Sequence, residues 1–174
     1  MPQEVRKMEK MVNDILLTTE FTQEDIEYSK KRHVEIFDGE YGFSEYFNRY
    51  ATGAIDKFPH TYNPEKDFML IAKVDGKFGG TVTLIGEGEE EGIARLRFFF
   101  VEPFTRGKGV GKLLFTTAMS MAKEMGYRHL YFSTYNVLEP ARNMYRNLGY
   151  VITKETPEDE VLPGAVEEIW EIDL

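Results

Sequence analysis

The spacing of hydrophobic and polar positions changes character several times along the chain. Residues 13–21 (NDILLTTEF) are rich in β-branched and apolar side chains and predict a first strand. Thr22, followed by Asp25, opens a helix directed towards Phe37, which Asp38-Gly39 is expected to break. A second helix is predicted over FSEYFNRYATGAIDKF, ending before Pro59. From residue 67 the period becomes that of strands. DFMLIAKVDGKFGGTVTLIGEG is two apolar runs joined by Asp75-Gly76, a dipeptide suited to the positive φ values of a two-residue hairpin turn. The acidic segment 86–92 reads as a solvated turn. IARLRFFFVEP (93–103) reads as a strand, and its continuous run from Phe98 to Val101 fits one covered on both faces.

The clearest helix follows at 110–125, where Val110, Leu113, Leu114, Ala118, Met121, Ala122 and Met125 keep helical spacing and Gly126 suits the position just past the end. HLYFSTYN (129–136) predicts a strand. Pro140 sits early in another helix, whose Ala141, Met144, Tyr145 and Leu148 share a face, and Gly149 ends it. Residues 150–154 and 166–174 predict two last strands. This order predicts an α/β fold, a mixed central sheet of about seven strands with helices on both faces. Residues 1–12 are polar and helix-compatible, which predicts a helical N-terminal extension to a single domain over 13–174.

Composition narrows the function. In 174 residues, 42% are hydrophobic and 14% aromatic, enough for a core that needs no partner to fold. There are no cysteines, which excludes disulfides, thiol catalysis and Cys-ligated zinc, and the three scattered histidines cannot build a His-rich metal site. No apolar run approaches the roughly 20 residues of a membrane span, and MPQEVRKMEK lacks the hydrophobic stretch of a secretory signal. A cytoplasmic protein without membrane partners is expected. The formal charge of −9 argues against nucleic-acid binding, which needs clustered cations. It suits either solubility or the attraction of cationic substrates.

The sharpest motif is Arg106-Gly107-Lys108-Gly109-Val110-Gly111-Lys112, between a predicted strand and the long helix. Alternating glycines let the backbone turn tightly and clear room for a ligand. The first-turn N–H groups of a helix lack internal partners, and the dipole adds positive potential, so phosphate or pyrophosphate is the natural occupant. Two common phosphate motifs fail here. The Walker A spacing is one residue short and Leu113 stands where Ser or Thr is required; the dinucleotide fingerprint needs glycine at 112, which is Lys.

The remaining pattern, R-G-x-G-x-G after a strand ending Val101-Glu102-Pro103, resembles the coenzyme-A loop of the GCN5-related N-acetyltransferase (GNAT) superfamily. A second signature agrees in order and spacing: Ala141, Tyr145 and Gly149-Tyr150 on the later helix. The likeness covers roughly residues 13–174. It is closest to the acetyltransferase domain fused to MarR-type regulators, through EYGF (40–43), LR-x-x-x-VEP, VL-x-x-AR (137–142) and W-x-x-x-L (170–174), although 12 leading residues are too few for a DNA-binding module.

The resemblance implies an acetyl-CoA-dependent N-acetyltransferase acting on a small-molecule or peptide amine, with acetyl-CoA as co-substrate and a homodimer left open. It assigns pyrophosphate binding to the backbone of Arg106, Gly107, Lys108, Gly109, Val110, Gly111 and Lys112. Phe99 and Val101 would offer backbone groups to the pantetheine arm, Asn136 a hydrogen bond to it, and Ala141 a contact on the coenzyme side. Tyr145 would be the general acid, since a phenol of ordinary pKa near 10 can protonate a strongly basic thiolate; the alternative is a core tyrosine. Asn136 could equally cap the following helix. The base is less defined, because residues 92–101 contain no acid, only Arg95 and Arg97. Glu102 and Glu40 are the candidates, each alternatively a surface charge, and positioning alone can supply much of the acceleration. Tyr41 and Phe43 would wall the acceptor pocket, with Phe43 also suited to the core. A non-catalytic acyl-CoA-binding sensor or interaction module on the same fold is the competing reading.

Overall fold

The structure, a computed structural model, describes residues 7–87 and 91–174. The described residues form eight strands and four helices, so the α/β class holds with one edge strand that the pattern did not predict. The chain divides into two compact units, Met1–Thr22 with Tyr62–Arg128, and Gln23–Thr61 with His129–Leu174.

In the first unit, β1 (Glu9–Val12), β2 (Ile15–Thr18), β3 (Phe68–Val74), β4 (Lys77–Gly86) and β5 (Ile93–Val101) pair in succession, all antiparallel. β1 corrects the expectation of a helical extension: Glu9–Val12 is extended and paired, while residues 1–6 lie outside the described residues. The cause is a turn inside the segment read as one strand. Asn13 and Asp14 take φ of 48° and 65°, a conformation short polar side chains tolerate, so the chain reverses there and the second strand starts at Ile15. Asp75 and Gly76, at φ 52° and 75°, close the β3–β4 hairpin as the sequence predicts. Of the acidic turn, residues 88–90 lie outside the described residues.

The long helix α3 (Val110–Glu124) packs on β3, β4 and β5, burying Val110, Leu114, Phe115, Ala118 and Ala122; Met125 caps it and stays exposed. This close approach requires glycine on β4. A Cβ at Gly80 would lie 2.9 Å from the Phe100 carbonyl oxygen and 3.2 Å from a Leu114 methyl.

The second unit holds α1 (Gln23–Tyr41), α2 (Glu45–Thr61), β6 (His129–Tyr135), α4 (Glu139–Leu148), β7 (Val151–Pro157) and β8 (Val166–Asp173). β8 lies between β6 and β7, antiparallel to both. Alternation along β6 serves two layers. Phe132 meets Tyr145 of α4, while Tyr135 faces the other way, against Phe43 and against Phe47 of α2. Two helix boundaries differ from expectation. α1 continues through Asp38-Gly39 and reverses only at Gly42 (φ 72°), and α2 contains Pro59, whose missing N–H costs a single bond in the last turn.

At the start of β6, His129 donates to carboxylates on β8: Nε2 lies 2.7 Å from Glu171 Oε1 and Nδ1 2.8 Å from Asp173 Oδ1. These bonds, to Asp173 and then Glu171, raise the His129 pKa above its ordinary value. A histidine raised on folding adds stability that is fully present below its unfolded pKa and is lost as pH rises through the folded pKa. His129→Gln is therefore expected to lower the thermal midpoint most near pH 6, by the equivalent of about 1 kcal/mol, with the deficit closing towards pH 9. Melting curves of both proteins across that range check it; a deficit independent of pH would show that the imidazolium charge contributes nothing.

Candidate functional site

The glycine-rich loop is built on a buried foundation. Glu102 N–H donates to the Gly79 carbonyl (2.8 Å), and the buried Thr105 hydroxyl donates to the carbonyls of Gly79 (3.1 Å) and Glu102 (2.9 Å). These bonds tie the short 3-10 turn Pro103–Thr105 to the end of β4's hairpin. Gly107 and Gly109 then take φ of 81° and 76°, and Gly109 is the residue that caps α3. A Cβ at either would meet no atom within 4 Å. Their glycine character is thus required by backbone conformation, and the space above them is open. No side chain caps α3. Its first-turn N–H groups, which helix geometry leaves without carbonyl partners, face out beside the exposed Arg106, Lys108 and Lys112. This arrangement fits a pyrophosphate: uncapped amides, the positive end of a helix dipole, and exposed cations around glycines that leave room. A cavity of about 590 Å³ opens alongside, between Lys108, Gly109 and Lys112 on one side and the Asn13-Asp14 and Val74-Asp75 turns on the other.

β5 carries a feature that sequence reasoning missed. Its pairing with β4 slips by one residue opposite Thr81–Thr83, and Phe98 sits at φ 57°. This is a β-bulge, and a positive φ is uncommon for an aromatic residue. The continuous Phe98–Val101 run is accordingly not an evenly buried strand. Phe98 is half-exposed under the Arg97 guanidinium (4.8 Å), Phe99 turns edge-on to Phe115 of α3 (4.8 Å) and Phe100 stacks on Phe78 (5.8 Å). Val101 is partly buried and pairs with Gly80. The reading of Glu102 as surface charge is corrected: it is 4% exposed and caps the 3-10 turn that leads into the loop.

The remaining candidates lie in the second unit. Tyr145 is 3% exposed, its ring packed edge-on against Phe132 (4.5 Å) and against Trp170 (5.6 Å). Burial raises its phenol pKa, opposed by a hydrogen bond with the Thr134 side chain. Asn136 does not cap α4, whose N-cap is Leu138. Its Oδ1 accepts from Val166 N–H (2.9 Å) and its N–H donates to the Val166 carbonyl (3.0 Å), fixing the start of β8. Ala141 is half-exposed in the first turns of α4. Glu40 is exposed near the end of α1, beside the half-buried Tyr41. Phe43 is a core residue rather than a pocket wall: at 1% exposure its ring is enclosed by Phe37, Phe47 and Tyr135.

A buried ion pair also escaped the sequence reading. Arg142 on α4 grips Glu168 on β8 with two bonds, Nε to Oε1 at 2.8 Å and Nη2 to Oε2 at 2.7 Å; Trp170 Nε1 donates to Oε1 at 3.3 Å. Glu168 is 1% exposed. The signal was present in the strand period, since 168 and 170 share a face and Trp170 is core.

Comparison with known proteins agrees with this geometry. A sequence model of the acetyltransferase (GNAT) family matches residues 30–150. An uncharacterized N-acetyltransferase of Escherichia coli K12, YjgM, is 30% identical over 99 residues, 55% of this chain and 58% of that protein. The chain spans less than two thirds of the length of the curated relatives it matches. Among solved structures, a GNAT-family acetyltransferase from Staphylococcus aureus Mu50 superposes with a TM-score of 0.74 at 18% identity, covering 92% of this chain and 99% of that one. A structure from Bacillus anthracis strain Ames, assigned as a streptothricin acetyltransferase and in complex with acetyl coenzyme A, reaches 0.56 at 22% identity over 63% of each chain. The fold is the mixed α/β fold of these acetyltransferases, and with the family match extending from α1 through the loop to the end of α4, the chain belongs to the acetyltransferase (GNAT) family.

Proposed function

We propose that this protein moves the acetyl group of acetyl-CoA directly to a primary amine of a small molecule or peptide. The observation that carries the reading is the loop of residues 106–112: two left-handed glycines under open space, an uncapped α3 and three exposed cations. The coenzyme supplies an acetyl thioester. The chain's own residues bind, orient and move protons. Arg106 to Lys112 hold the pyrophosphate through backbone N–H groups and charge. Backbone groups of Phe99 and Val101 receive the coenzyme's arm.

In the reaction, the amine nitrogen bonds to the thioester carbon and the carbon–sulfur bond breaks. Tyr145 Oη gives its proton to the departing thiolate. Burial raises the phenol pKa, which keeps the hydroxyl protonated but weakens it as an acid, so the role rests on the place of Tyr145 in the family signature. The amine's proton goes to Glu102, Glu40 or water. Within the family, the segments EYGF and VL-x-x-AR support kinship with the acetyltransferase domain of MarR-fused regulators. A cytoplasmic location follows from the same reading.

Tyr145→Phe tests the mechanism, since it removes only a hydroxyl from an aromatic cluster. Turnover is expected to fall roughly 100-fold or more with the KM for acetyl-CoA little changed. Steady-state thiol release with a panel of primary amines measures it. Unchanged turnover, with chemistry rate-limiting, would return Tyr145 to a purely structural role.

A further inference from the structure

Among the described residues of the segment 103–109, which carries both left-handed glycines, Thr105 alone is buried, and it is completely so; its neighbours on either side are exposed. The anchor of the loop is therefore a polar side chain. Its hydroxyl shares one proton between the carbonyls of Gly79 on β4 (3.1 Å) and Glu102 just past β5 (2.9 Å). Neither carbonyl depends on that proton. Gly79 also accepts the Glu102 N–H (2.8 Å), and Glu102 also accepts the Thr105 N–H (3.0 Å). The hydroxyl thus adds a tie that the backbone does not need for its own pairing. The Thr105 methyl is seated against Gly79, where a Cβ would lie 3.1 Å from it and 3.0 Å from a Val74 methyl. On the loop side, the Thr105 carbonyl accepts the Lys108 N–H (3.2 Å), and the Arg106 N–H donates to the Pro103 carbonyl (3.3 Å). Among the described residues, the loop donors that remain for an anion are the N–H groups of Gly107 and of Gly109 to Lys112.

Glycine gives the loop its turns and also its freedom, since a residue without a Cβ samples more conformations than any other. Donors that are not already fixed must be ordered when the anion arrives, and that ordering is subtracted from the affinity. A tie at 105, two residues before Gly107 and four before Gly109, limits this freedom where it begins. We propose that Thr105 is a positioning residue for the coenzyme loop: its hydroxyl pins the loop to β4, so that the N–H groups of Gly107 and of Gly109 to Lys112 meet the pyrophosphate already aligned. The inference rests on the coenzyme-loop reading above and names the residue that sets the coenzyme's affinity. Because it is fully buried, the hydroxyl acts on acetyl-CoA only through the loop, so it affects binding and not the transfer step.

Two substitutions divide the side chain. Thr105→Val keeps its shape and removes the hydroxyl; Thr105→Ser keeps the hydroxyl and removes the methyl. Both should lower the thermal midpoint by a similar amount, about 2–4 °C. The KM for acetyl-CoA should rise about 10-fold in Thr105→Val, with kcat at saturating coenzyme unchanged, and stay at the wild-type value in Thr105→Ser. A residue that only supports the fold would move KM equally in two variants of equal stability. Equal KM values in the two variants, or a lowered kcat in Thr105→Val with KM unchanged, would overturn the proposal. Amide hydrogen exchange read by mass spectrometry tests the pinning without any turnover. The segment 106–112 should exchange about 10-fold faster in Thr105→Val and at the wild-type rate in Thr105→Ser. Equal exchange in all three proteins would overturn the proposal. If the wild-type protein neither binds nor uses acetyl-CoA, the function proposed above fails instead, and the exchange rates alone decide whether Thr105 pins the loop.

Discussion

Gly109→Asp is expected to abolish measurable acetyl-CoA binding while the protein stays folded. Gly109 caps α3 at φ 76°, and a Cβ there would touch nothing within 4 Å, so the new side chain meets no steric barrier inside the protein. Aspartate is among the residues that tolerate left-handed backbone, at a cost of about 1 kcal/mol. Its carboxylate would stand over the uncapped first-turn amides of α3, the place argued for the pyrophosphate. It would satisfy those donors itself and repel the incoming anion. The loss in affinity should exceed about 100-fold, since one favourable charge contact is exchanged for a like-charge clash. Circular dichroism melts and calorimetric titration with acetyl-CoA separate the two effects. Wild-type affinity in a folded Gly109→Asp protein would remove the loop from the coenzyme site.

Arg142→Ala is expected to cost the most stability of any single truncation considered. Glu168 is 1% exposed, and Arg142 supplies both of its strong bonds, leaving only the longer contact from Trp170 Nε1. Removing the guanidinium strands a carboxylate in the core, a change worth about 3–5 kcal/mol. The double variant Arg142→Met/Glu168→Gln should recover most of that loss, because the penalty lies in the unpaired charge rather than in the absence of the pair. Urea midpoints of the single and double variants measure both values. A loss under about 1 kcal/mol for Arg142→Ala would mean that water or another group reaches Glu168.

Legibility in the sequence followed the range over which each signal acts. Asp75-Gly76 closes its hairpin because the positive φ is a property of those two residues alone. The α3 stripe and the glycines at 107, 109, 126 and 149 are equally local, and each glycine takes the left-handed conformation its position requires. Asn13-Asp14 carried the same information, but the strongly apolar residues that follow hid the turn within an apparent single strand. Gly39 and Pro59 illustrate propensity overruled: each weakens its helix by a small amount, and burial of Ile36, Ile55 and Phe58 outweighs it.

What the sequence could not show depends on partners distant in the chain. The bulge at Phe98 has no local signal, since phenylalanine disfavours positive φ; it exists where Phe99 and Phe100 turn onto Phe115 and Phe78. Asn136 looked like a helix cap, yet its side chain serves Val166, 30 residues on. Phe43 looked like a pocket wall until Phe37, Phe47 and Tyr135 were found around it. The turn geometry of the loop was thus readable, and the packing around Phe43 and Asn136 was not.

The most direct test of acetyl transfer is a stoichiometric one, made by mass spectrometry on the wild-type protein with acetyl-CoA and a primary amine. Acetyl-CoA alone should leave the protein mass unchanged. Addition of amine should yield acetylated amine equal to the coenzyme A released, and Gly109→Asp should yield neither. Tight acetyl-CoA binding with no acetylated product from any amine would contradict the account and make the protein an acyl-CoA-binding module.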